Sequence, residues 1–407
     1  MEKYRFLILG AGISGLTLAA RLQQIGEDSF LVLEKEASAG GLCRSVLVDG
    51  SPLDIGGGHV LDVRNEAVNN FVFAYLPASE WNRFDRITKI HLNKFEIDYP
   101  FEANIWQLPI DEQVEYLVSI SNAGCNLRYP QPKCFSEWIP WKLGEKIARD
   151  YMLPYNQKIF SIDLDELSTE WLHKLPNVSI RDTLKSCLLR KPFGNLPAHA
   201  VFLYPKRHGY GEFCVRLAHT LTGKLRLNMP VTCLDFERCL VNESYQADVI
   251  VNTIPWTEME DYPTIPDSVR ADIRRLKYAS IDIAYYPDNQ DTPAQWTYFP
   301  DMSIPYHRIL HRHNFMPAGA RGYWTETNTK RLTAEQIGLR TDHFHNQYAY
   351  PLYTLDKSEA LRRILAWAGT RGVIGLGRWG EWDHINSDVA IRNALALAQR
   401  LSRRNIK

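Results

Sequence analysis

Short runs of apolar residues alternate with glycine turns at the start of the chain. Residues 4–9 (Tyr-Arg-Phe-Leu-Ile-Leu) have the pattern of a buried parallel strand, and residues 16–25 have the Ala/Leu-rich pattern of a helix that ends at Gly26. A second apolar run, 30–33, is followed by Glu34. The spacing predicts a strand–helix–strand unit of about 30 residues.

Beyond this unit, the hydrophobic pattern alternates between segments typical of helices and segments typical of strands. Residues 105–190 lack strand alternation and are predicted to be helical, with breaks at Pro130, Pro132, Pro140, Pro154 and Pro176. Short aromatic strands and loops are expected over 277–350. Further strands are expected at 201–204, 226–234, 247–255 and 372–377, and a last helix at 389–403.

These patterns predict an α/β protein with a Rossmann-type FAD-binding domain, an inserted helical segment and an antiparallel β-sheet substrate domain. The cofactor domain is expected to be discontinuous, at 1–100, 200–260 and 365–407. A helical substrate-cap domain is expected at 101–199 and the antiparallel sheet at 261–364. Such a division into several domains is usual for 407 residues.

The turn after the first strand has the spacing of a dinucleotide-binding motif. Gly10 permits a tight turn, Gly12 lets the backbone approach a pyrophosphate, and Gly15 lets helix and strand pack closely. Glu34 follows the second strand, where a carboxylate accepts hydrogen bonds from ribose hydroxyls. The residues expected around the dinucleotide are Gly10, Gly12, Ser14, Gly15, Glu34 and Lys35.

FAD is favoured over NAD by the segments that follow. A second glycine turn, Gly40-Gly41, precedes Arg44 and offers another phosphate contact. A loop of three glycines precedes His59 and suits a flat ring, while the last helix offers its positive N-terminal end. The further residues expected at FAD are Gly41, Leu42, Arg44, Gly57, Gly58, His59, Val231, Arg378, Asp388 and Val389.

Composition narrows the function only slightly. Lys+Arg and Asp+Glu both number 47, which argues against a general nucleic-acid binder. The seven cysteines show neither CxxC spacing nor a Cys/His metal pattern, so no metal is expected and a reduced, cytoplasmic protein fits best. No apolar run approaches the length of a membrane span, about 18 residues.

The order of several motifs resembles the UDP-galactopyranose mutase family, more its eukaryotic-type branch than the usual bacterial one, within the flavin amine-oxidase-like superfamily. The resemblance covers nearly the whole chain. It rests on Asp54-Ile-Gly-Gly-Gly-His-Val60, Trp81-x4-Arg86-Ile, Tyr99-Pro-Phe-Glu-Ala-Asn104, Pro154-Tyr-Asn156 with Phe160, Tyr204-Pro-x3-Gly-x-Gly211, Trp296-Thr-Tyr-Phe-Pro300, Pro305-x2-Arg308, Tyr350-Pro351 and Gly377-Arg378-x-Gly.

The resemblance implies an isomerase that interconverts pyranose and furanose forms of a nucleotide-linked sugar for cell-surface glycans. In this family the N5 atom of reduced FAD attacks the anomeric carbon without net redox change, and NAD(P)H is the expected reductant. The implied diphosphate-binding and catalytic residues are Arg308, Tyr298, Tyr350 and His59, with Lys174 or Arg181 in place of the family's mobile-loop arginine. The implied substrate-pocket residues are Tyr99, Glu102, Asn156, Phe160, His199 and His384.

Several positions differ from the family pattern and leave the sugar and the nucleobase open. His384 stands where the family has a tyrosine, His199 where the eukaryotic branch has an asparagine, and Glu102 where it has a glutamine. An oxidoreductase of the protoporphyrinogen-oxidase or desaturase type is the alternative function, and a flavin-binding structural protein is a third. The oligomeric state is open, with a dimer as one alternative; neither a membrane nor a nucleic-acid partner is expected.

Overall fold

The computed structural model describes residues 1–172, 178–194, 199–288, 290–333 and 342–403. Within these residues the chain forms a mixed α/β fold, which confirms the predicted fold class. Lys174, one of the two proposed diphosphate-binding residues, lies outside the described residues. None of the described helices combines the length and the apolar character that a membrane span requires.

The strands are numbered in chain order. They are β1 (Glu2–Leu9), β2 (Phe30–Leu33), β3 (Ser45–Val48), β4 (Ser51–Asp54), β5 (Leu61–Asp62), β6 (Trp81–Asp85), β7 (Thr88–Leu92), β8 (Phe95–Asp98), β9 (Val201–Pro205), β10 (Leu225–Arg226), β11 (Leu234–Asp235), β12 (Leu240–Val241), β13 (Tyr245–Asn252), β14 (Tyr278–Tyr286), β15 (Trp296–Tyr298), β16 (Arg308–His311), β17 (Tyr323–Asn328), β18 (His343–Pro351) and β19 (Val373–Gly375).

The described α-helices are numbered in the same way. They are α1 (Ile13–Gln24), α2 (Glu66–Phe73), α3 (Phe101–Asn104), α4 (Ile110–Ser121), α5 (Phe135–Leu143), α6 (Glu145–Ile147), α7 (Leu153–Phe160), α8 (Ile180–Leu189), α9 (Gly211–Thr220), α10 (Asp267–Ile273), α11 (Lys357–Gly369), α12 (Gly377–Gly380) and α13 (Ser387–Arg403).

Backbone contacts divide the chain into two compact units. The first consists of Met1–Arg83, Leu203–Lys277 and Asp356–Lys407, and the second of Phe84–Phe202 and Tyr278–Leu355. Most of the predicted helical range 101–199 and of the predicted sheet range 261–364 falls in the second unit. The division into three domains stays a prediction.

The first unit is built on a sheet with the strand order β10-β2-β1-β13-β12-β11, with β19 also paired to β13. The central strand β1 runs parallel to both β2 and β13. Its last four residues are apolar and buried, without alternation, because helices cover both faces of parallel sheets in α/β folds. Helix α1 packs against α9 and α13.

The second unit contains a separate sheet with the order β18-β14-β17-β16-β15-β7-β8. Its pairs are antiparallel except β15 with β7. The register pairs Tyr298 with Arg308 and Arg308 with Glu326, so three polar side chains from β15, β16 and β17 stand side by side. Helix α7 packs against β14 and β17 of this sheet.

Three local expectations are wrong. The predicted strand 226–234 is only the short strands β10 and β11 with an irregular segment between them. Pro140 does not break its helix, because it lies inside α5. Pro154 lies in the first turn of α7, directly after a π-helical turn at Ala148–Met152. Proline is tolerated in a first turn because the N–H that it lacks would have no helical partner there.

Candidate functional site

The connection from β1 into the first turn of α1, in the first unit, can form only with glycines at two of its positions. Gly10 has φ +96°, and a side chain there would lie 2.6 Å from Thr253 Oγ1. A Cβ on Gly15 would lie 2.0 Å from the Gly10 carbonyl oxygen. In contrast, no described atom lies within 4 Å of where a Cβ of Gly12 would stand. The space beside the N-terminus of α1 is therefore open, as a bound pyrophosphate requires.

Glu34 is fixed at the end of β2. Its side chain is buried, and its carboxylate accepts hydrogen bonds from the backbone N–H groups of Ala11 (2.7 Å) and Glu36 (3.0 Å). Each carboxylate oxygen can accept a second bond, so the position suits ribose hydroxyls. The ammonium group of Lys35, which was also predicted to bind the dinucleotide, forms an ion pair with Glu258 at 2.8 Å.

The second glycine turn packs directly on the first. Gly40 N–H donates to the Ala11 carbonyl at 2.8 Å, and a Cβ on Gly41 would lie 3.2 Å from Gly12 Cα. Arg44 donates from Nε to the Gly41 carbonyl at 3.0 Å. Leu42 lies in the same turn, and its carbonyl oxygen leaves no room for a Cβ on Gly56. The glycine segments of this unit thus form one cradle of closely packed backbone.

A buried carboxyl supports the glycine loop that precedes His59. Asp54 accepts hydrogen bonds from Ser45 Oγ (2.5 Å), Tyr204 OH (2.8 Å) and the Tyr210 N–H (3.1 Å). Burial raises the pKa of Asp54 to about 6, although these hydrogen bonds lower it. His59 donates from Nδ1 to the Gly57 carbonyl at 2.8 Å. The loop is therefore anchored at both ends, with Gly57 at φ +95°.

The C-terminal segment packs against the glycine cradle. Arg378 lies on α12 and donates from Nη2 to the Ile385 carbonyl at 2.9 Å. Gly377 places this helix against the first glycine turn, since a Cβ there would lie 2.2 Å from Ser14 Oγ. Helix α13 begins at Ser387, so Asp388 and Val389 are in its first turn. Burial, and then the charge of Asp62, raise the pKa of Asp388.

Val231 and the remaining predicted histidines lie on irregular segments. The Val231 carbonyl accepts a hydrogen bond from Tyr262 OH at 2.7 Å, and the nearby Met229 N–H donates to the Glu34 carbonyl. This segment therefore runs beside the end of β2 although it is not a strand. His384 lies between α12 and α13, and His199, in the second unit, has φ +58° just before β9.

The second unit contains a half-buried arginine, Arg308, which the sequence motifs identified, and a buried carboxylate, Glu326, which they did not. Arg308 donates to Glu326 Oε2 from Nε (2.8 Å) and Nη2 (2.6 Å). Tyr350 OH lies 3.3 Å from Arg308 Nη2 and 3.4 Å from Glu326 Oε2. Burial alone would raise the pKa of Glu326, but Arg308 and His307 lower it to about 2. Burial lowers the pKa of His307 to about 4.

A second arginine, Arg86, orients the tyrosines beside this pair. Its Nη2 donates to Tyr298 OH at 2.8 Å. Its guanidinium carbon lies 5.0 Å from the ring centre of Tyr99 and 5.1 Å from that of Trp296. Tyr155, on α7, stacks obliquely on Tyr298 at 5.1 Å. Both Arg86 and Tyr155 belong to motifs that the sequence analysis quoted, but the motifs did not indicate what either residue does.

The other predicted pocket residues have ordinary structural partners. Asn156 donates to the Met152 carbonyl of the preceding turn at 2.7 Å. The Phe160 ring packs on Trp171 at 5.6 Å. Burial raises the pKa of Glu102, at the start of α3, to about 7. Arg181 lies exposed on α8.

Residues 13–286 match the family described as flavin containing amine oxidoreductase. The chain therefore belongs to the flavin-containing amine oxidoreductases, which supports FAD as the cofactor of the cradle in the first unit.

Comparisons over the full length are more specific. The chain is 24% identical over 414 residues to the UDP-galactopyranose mutase of Mycoplasma pneumoniae, covering 98% of this chain and 96% of that protein. A crystal structure of reduced UDP-galactopyranose mutase superimposes with a TM-score of 0.87 at 21% identity, covering 98% and 94% of the two chains. The predicted resemblance is confirmed.

The fold is also shared with oxidases. A putative protoporphyrinogen oxidase from Exiguobacterium sp. 255-15 matches with a TM-score of 0.73 at 15% identity, covering 98% of this chain and 99% of that one. Identities this low show a shared fold alone, and the reaction depends on the side chains that the fold carries.

Proposed function

We propose that this protein is a flavin-dependent mutase that interconverts the pyranose and furanose forms of a nucleotide-linked sugar. The observation that carries the proposal is the Arg308 cluster, in which a half-buried guanidinium is flanked by the hydroxyl of Tyr350 and, on the adjacent strand, by Tyr298. Cations and hydroxyl donors in a partly buried site suit a diphosphate. The similarity to UDP-galactopyranose mutase over nearly the whole chain supports the same conclusion.

In this proposal the side chains of the second unit hold the leaving group. Arg308 and the hydroxyls of Tyr298 and Tyr350 stabilise the negative charge that develops on the diphosphate when the bond to the sugar breaks. Arg86 donates to Tyr298 OH and so fixes the orientation of that hydroxyl. Tyr99, Glu102, Asn156, Phe160, His199 and His384 are proposed to line the rest of the nucleotide-sugar pocket.

In the first unit, His59 and Arg378 are proposed to lie beside the isoalloxazine ring. FAD in its reduced form would supply a nucleophilic nitrogen for the anomeric carbon, and NAD(P)H is the proposed reductant. The sugar is returned at its original oxidation level, so the protein's own task is to bind the diphosphate, orient the sugar and exclude water.

The clamp that closes on the diphosphate is proposed to be Lys174 or Arg181, not both. Separate alanine substitutions should therefore reduce UDP affinity unequally in calorimetric titrations. Arginine offers two parallel hydrogen bonds to a phosphate, whereas lysine offers only a point charge. The loss of UDP affinity is therefore expected to be larger if Arg181 is the clamp than if Lys174 is. Equal and negligible losses would remove both residues from the site.

An oxidoreductase remains the second candidate because an oxidase shares the fold. Such enzymes with apolar substrates would need an apolar cleft, whereas the Arg308 cluster is charged and hydrogen-bonded. The two functions make opposite demands on the flavin, since an oxidase reaction begins with the oxidised form and the proposed mutase needs the reduced form.

The decisive experiment compares oxidised and pre-reduced enzyme anaerobically, on a panel of UDP-, dTDP- and GDP-sugars. The mutase proposal expects turnover only after reduction by dithionite or NAD(P)H, many turnovers per reduction, and a product of unchanged mass. Turnover by oxidised enzyme, or consumption of one reducing equivalent per product, would replace the mutase with an oxidoreductase.

A further inference from the structure

A loop joins Tyr298, the last residue of β15, to Arg308, the first residue of β16. The backbone N–H of Phe299 donates to the His307 carbonyl at 2.8 Å, which closes this hairpin next to both residues. The hairpin loop, residues 299–306, contains neither helix nor strand. Irregular backbone of this kind needs partners other than neighbouring strands for its carbonyl groups.

Two cations from outside the hairpin donate to four carbonyl groups of the hairpin loop. Lys158 Nζ, on α7, donates to the first two of the following carbonyl oxygens, and Arg331, shortly after β17, donates to the last two: Phe299 (2.6 Å), Asp301 (2.8 Å), Met302 (2.9 Å) and Pro305 (3.2 Å). The hairpin loop is therefore attached to two other segments of the second unit, one at each end of the loop.

Lys158 is the more unusual of the two cations, because its side chain is completely buried. Lysine is almost never fully buried unless its charge has partners, since an ammonium group loses its hydration there. Tyr155 lies one turn earlier on α7, and its ring packs on that of Tyr298 at 5.1 Å. Helix α7 thus contacts both the ring of Tyr298 and, through Lys158, the carbonyl of the residue that follows it.

We infer that Lys158 is a positioning residue, which holds the hairpin loop against α7 and so fixes the strand ends that carry Tyr298 and Arg308. Arg331 supports the far end of the same loop. The inference rests on the proposed function for the nature of the ligand, a diphosphate, but not for the attachment of the loop. Without the ammonium group the loop carbonyls lose their donor, and a displacement of about 1 Å near a reacting group can lower turnover on the order of 100-fold.

The charge of Lys158 adds a dependence on pH. Burial, and then the charge of Arg331, lower the pKa of Lys158 to about 7, whereas Asp301 raises it. Among the described residues, the other titratable groups in electrostatic contact are His307, with Lys158, and His91, with Asp301. Lys158 is therefore cationic below about pH 7 and neutral above it. A neutral amine makes weaker hydrogen bonds and offers no charge to an anion, so binding of a diphosphate should weaken as the pH rises.

Hydrogen exchange of the FAD-loaded protein without nucleotide tests the attachment of the loop. In Lys158→Met, which removes only the ammonium group, peptides covering residues 296–308 should exchange at least about tenfold faster than in wild type. Arg331→Met, at a half-buried position, should show the same effect more weakly and decides the question if Lys158→Met does not fold. Lys330→Met is the matched control, because this exposed lysine donates to the Ser161 carbonyl at the end of α7 and not to the loop. Unchanged exchange in folded Lys158→Met would overturn the inference.

Calorimetric titration with UDP-galactose, from about pH 6 to about pH 8.5, tests the effect on the ligand. The diphosphate of UDP-galactose is esterified at both ends, so none of its phosphate protons titrates in this range. The affinity of wild type should fall on the order of tenfold as the pH rises. Lys158→Met should bind about tenfold or more weakly than wild type at pH 6 and lose the pH dependence, although it retains His91.

The outcomes separate this inference from the proposed function. Equal affinity for UDP-galactose in wild type and Lys158→Met would overturn the inference and leave the proposed function standing. The same pH dependence in both proteins would assign that dependence to another group, such as His91, and overturn the role of the charge on Lys158. A wild type that binds no nucleotide sugar, with faster exchange in Lys158→Met, would overturn the proposed function while the attachment of the hairpin loop by Lys158 would stand.

Discussion

Arg308 has two roles in the proposed function, and they can be separated. Arg308→Ala should lower the affinity for UDP by on the order of 2–4 kcal/mol, because a charge-assisted contact to a phosphate is lost. It should also lower stability, by about 3–5 kcal/mol, because Glu326 is left buried without its cation. Calorimetry with UDP and urea unfolding measure the two effects.

The control for this prediction removes both charges. The double variant Arg308→Ala, Glu326→Gln should regain much of the lost stability and none of the lost affinity. If UDP affinity also returned, Arg308 would be a structural residue that serves only to neutralise Glu326. Arg308→Lys should retain part of the affinity, since lysine carries the charge without the fork.

The lowered pKa of Glu326 predicts how the free energy of unfolding depends on pH at acid pH. Its folded pKa of about 2 lies below the ordinary value of 4.5, so its stabilising contribution is complete above about pH 4.5 and is lost as the pH falls toward 2. The total change is about 3 kcal/mol. The free energy of unfolding in urea should therefore be compared between wild type and Glu326→Gln. The difference, wild type minus variant, should be constant above about pH 5 and decrease below it. A difference that does not vary with pH would contradict the buried ion pair.

At the residue level the sequence could identify Arg308, Tyr298 and Tyr350 only through their motifs. Glu326 was missed because nothing in a run of Trp-Thr-Glu-Thr-Asn shows which strand lies beside it. Only the antiparallel register of β16 and β17 brings that carboxylate to Arg308. Arg86 was missed for the same reason, since its partner Tyr298 is 212 positions away in the chain.

At the element level, the glycine turn before α1 predicts two different effects of the same substitution. Gly12→Ala should leave the apoprotein's stability nearly unchanged, because no described atom lies near the new methyl group, but weaken FAD binding roughly 5- to 150-fold by a clash of about 1–3 kcal/mol. Gly15→Ala should destabilise the apoprotein itself, because the methyl group would meet the Gly10 carbonyl. Thermal unfolding and fluorescence titration with FAD measure the two effects.

Gly369→Ala is the matched control for both substitutions. This glycine ends α11, and no described atom lies within 4 Å of its Cβ position. We expect neither stability nor FAD affinity to fall in this variant. An equal loss of FAD in Gly12→Ala and Gly369→Ala would mean that the cradle does not hold the pyrophosphate.

Elements with a strong local signal were predicted closely. The strand at 30–33 has the predicted bounds, and α1 and β13 lie within a few residues of their predicted positions. The segment 226–234 was predicted wrongly because apolar residues in a short irregular run have no periodicity that distinguishes them from a strand. Proline was also given too much weight as a helix breaker, since α5 contains Pro140 in its interior.

For the whole molecule, bound FAD should raise thermal stability in a concentration-dependent way. A ligand at 100 times its dissociation constant adds about 2.7 kcal/mol to the folded state. For a protein of this size that corresponds to a rise in melting temperature of about 3 °C. Deflavinated protein titrated with FAD should follow this logarithmic rise, and riboflavin, which lacks the pyrophosphate and adenosine, should not reproduce it. A melting temperature independent of FAD would contradict the assigned cofactor.

The division of the first unit into three chain segments has a consequence for biosynthesis. Strand β1 is made well before its neighbour β13, which follows some 240 residues later, and β19, which pairs with β13, comes at residues 373–375. At about 5–20 residues per second, the ribosome needs on the order of 20–70 s to pass from β1 to β19. During that time β1 is an apolar strand without its later neighbours, and the C-terminal part of the cradle does not yet exist. We therefore expect the nascent chain to expose β1 for longer than its size alone would suggest, and to capture the flavin in full only after α12 and α13 have been made.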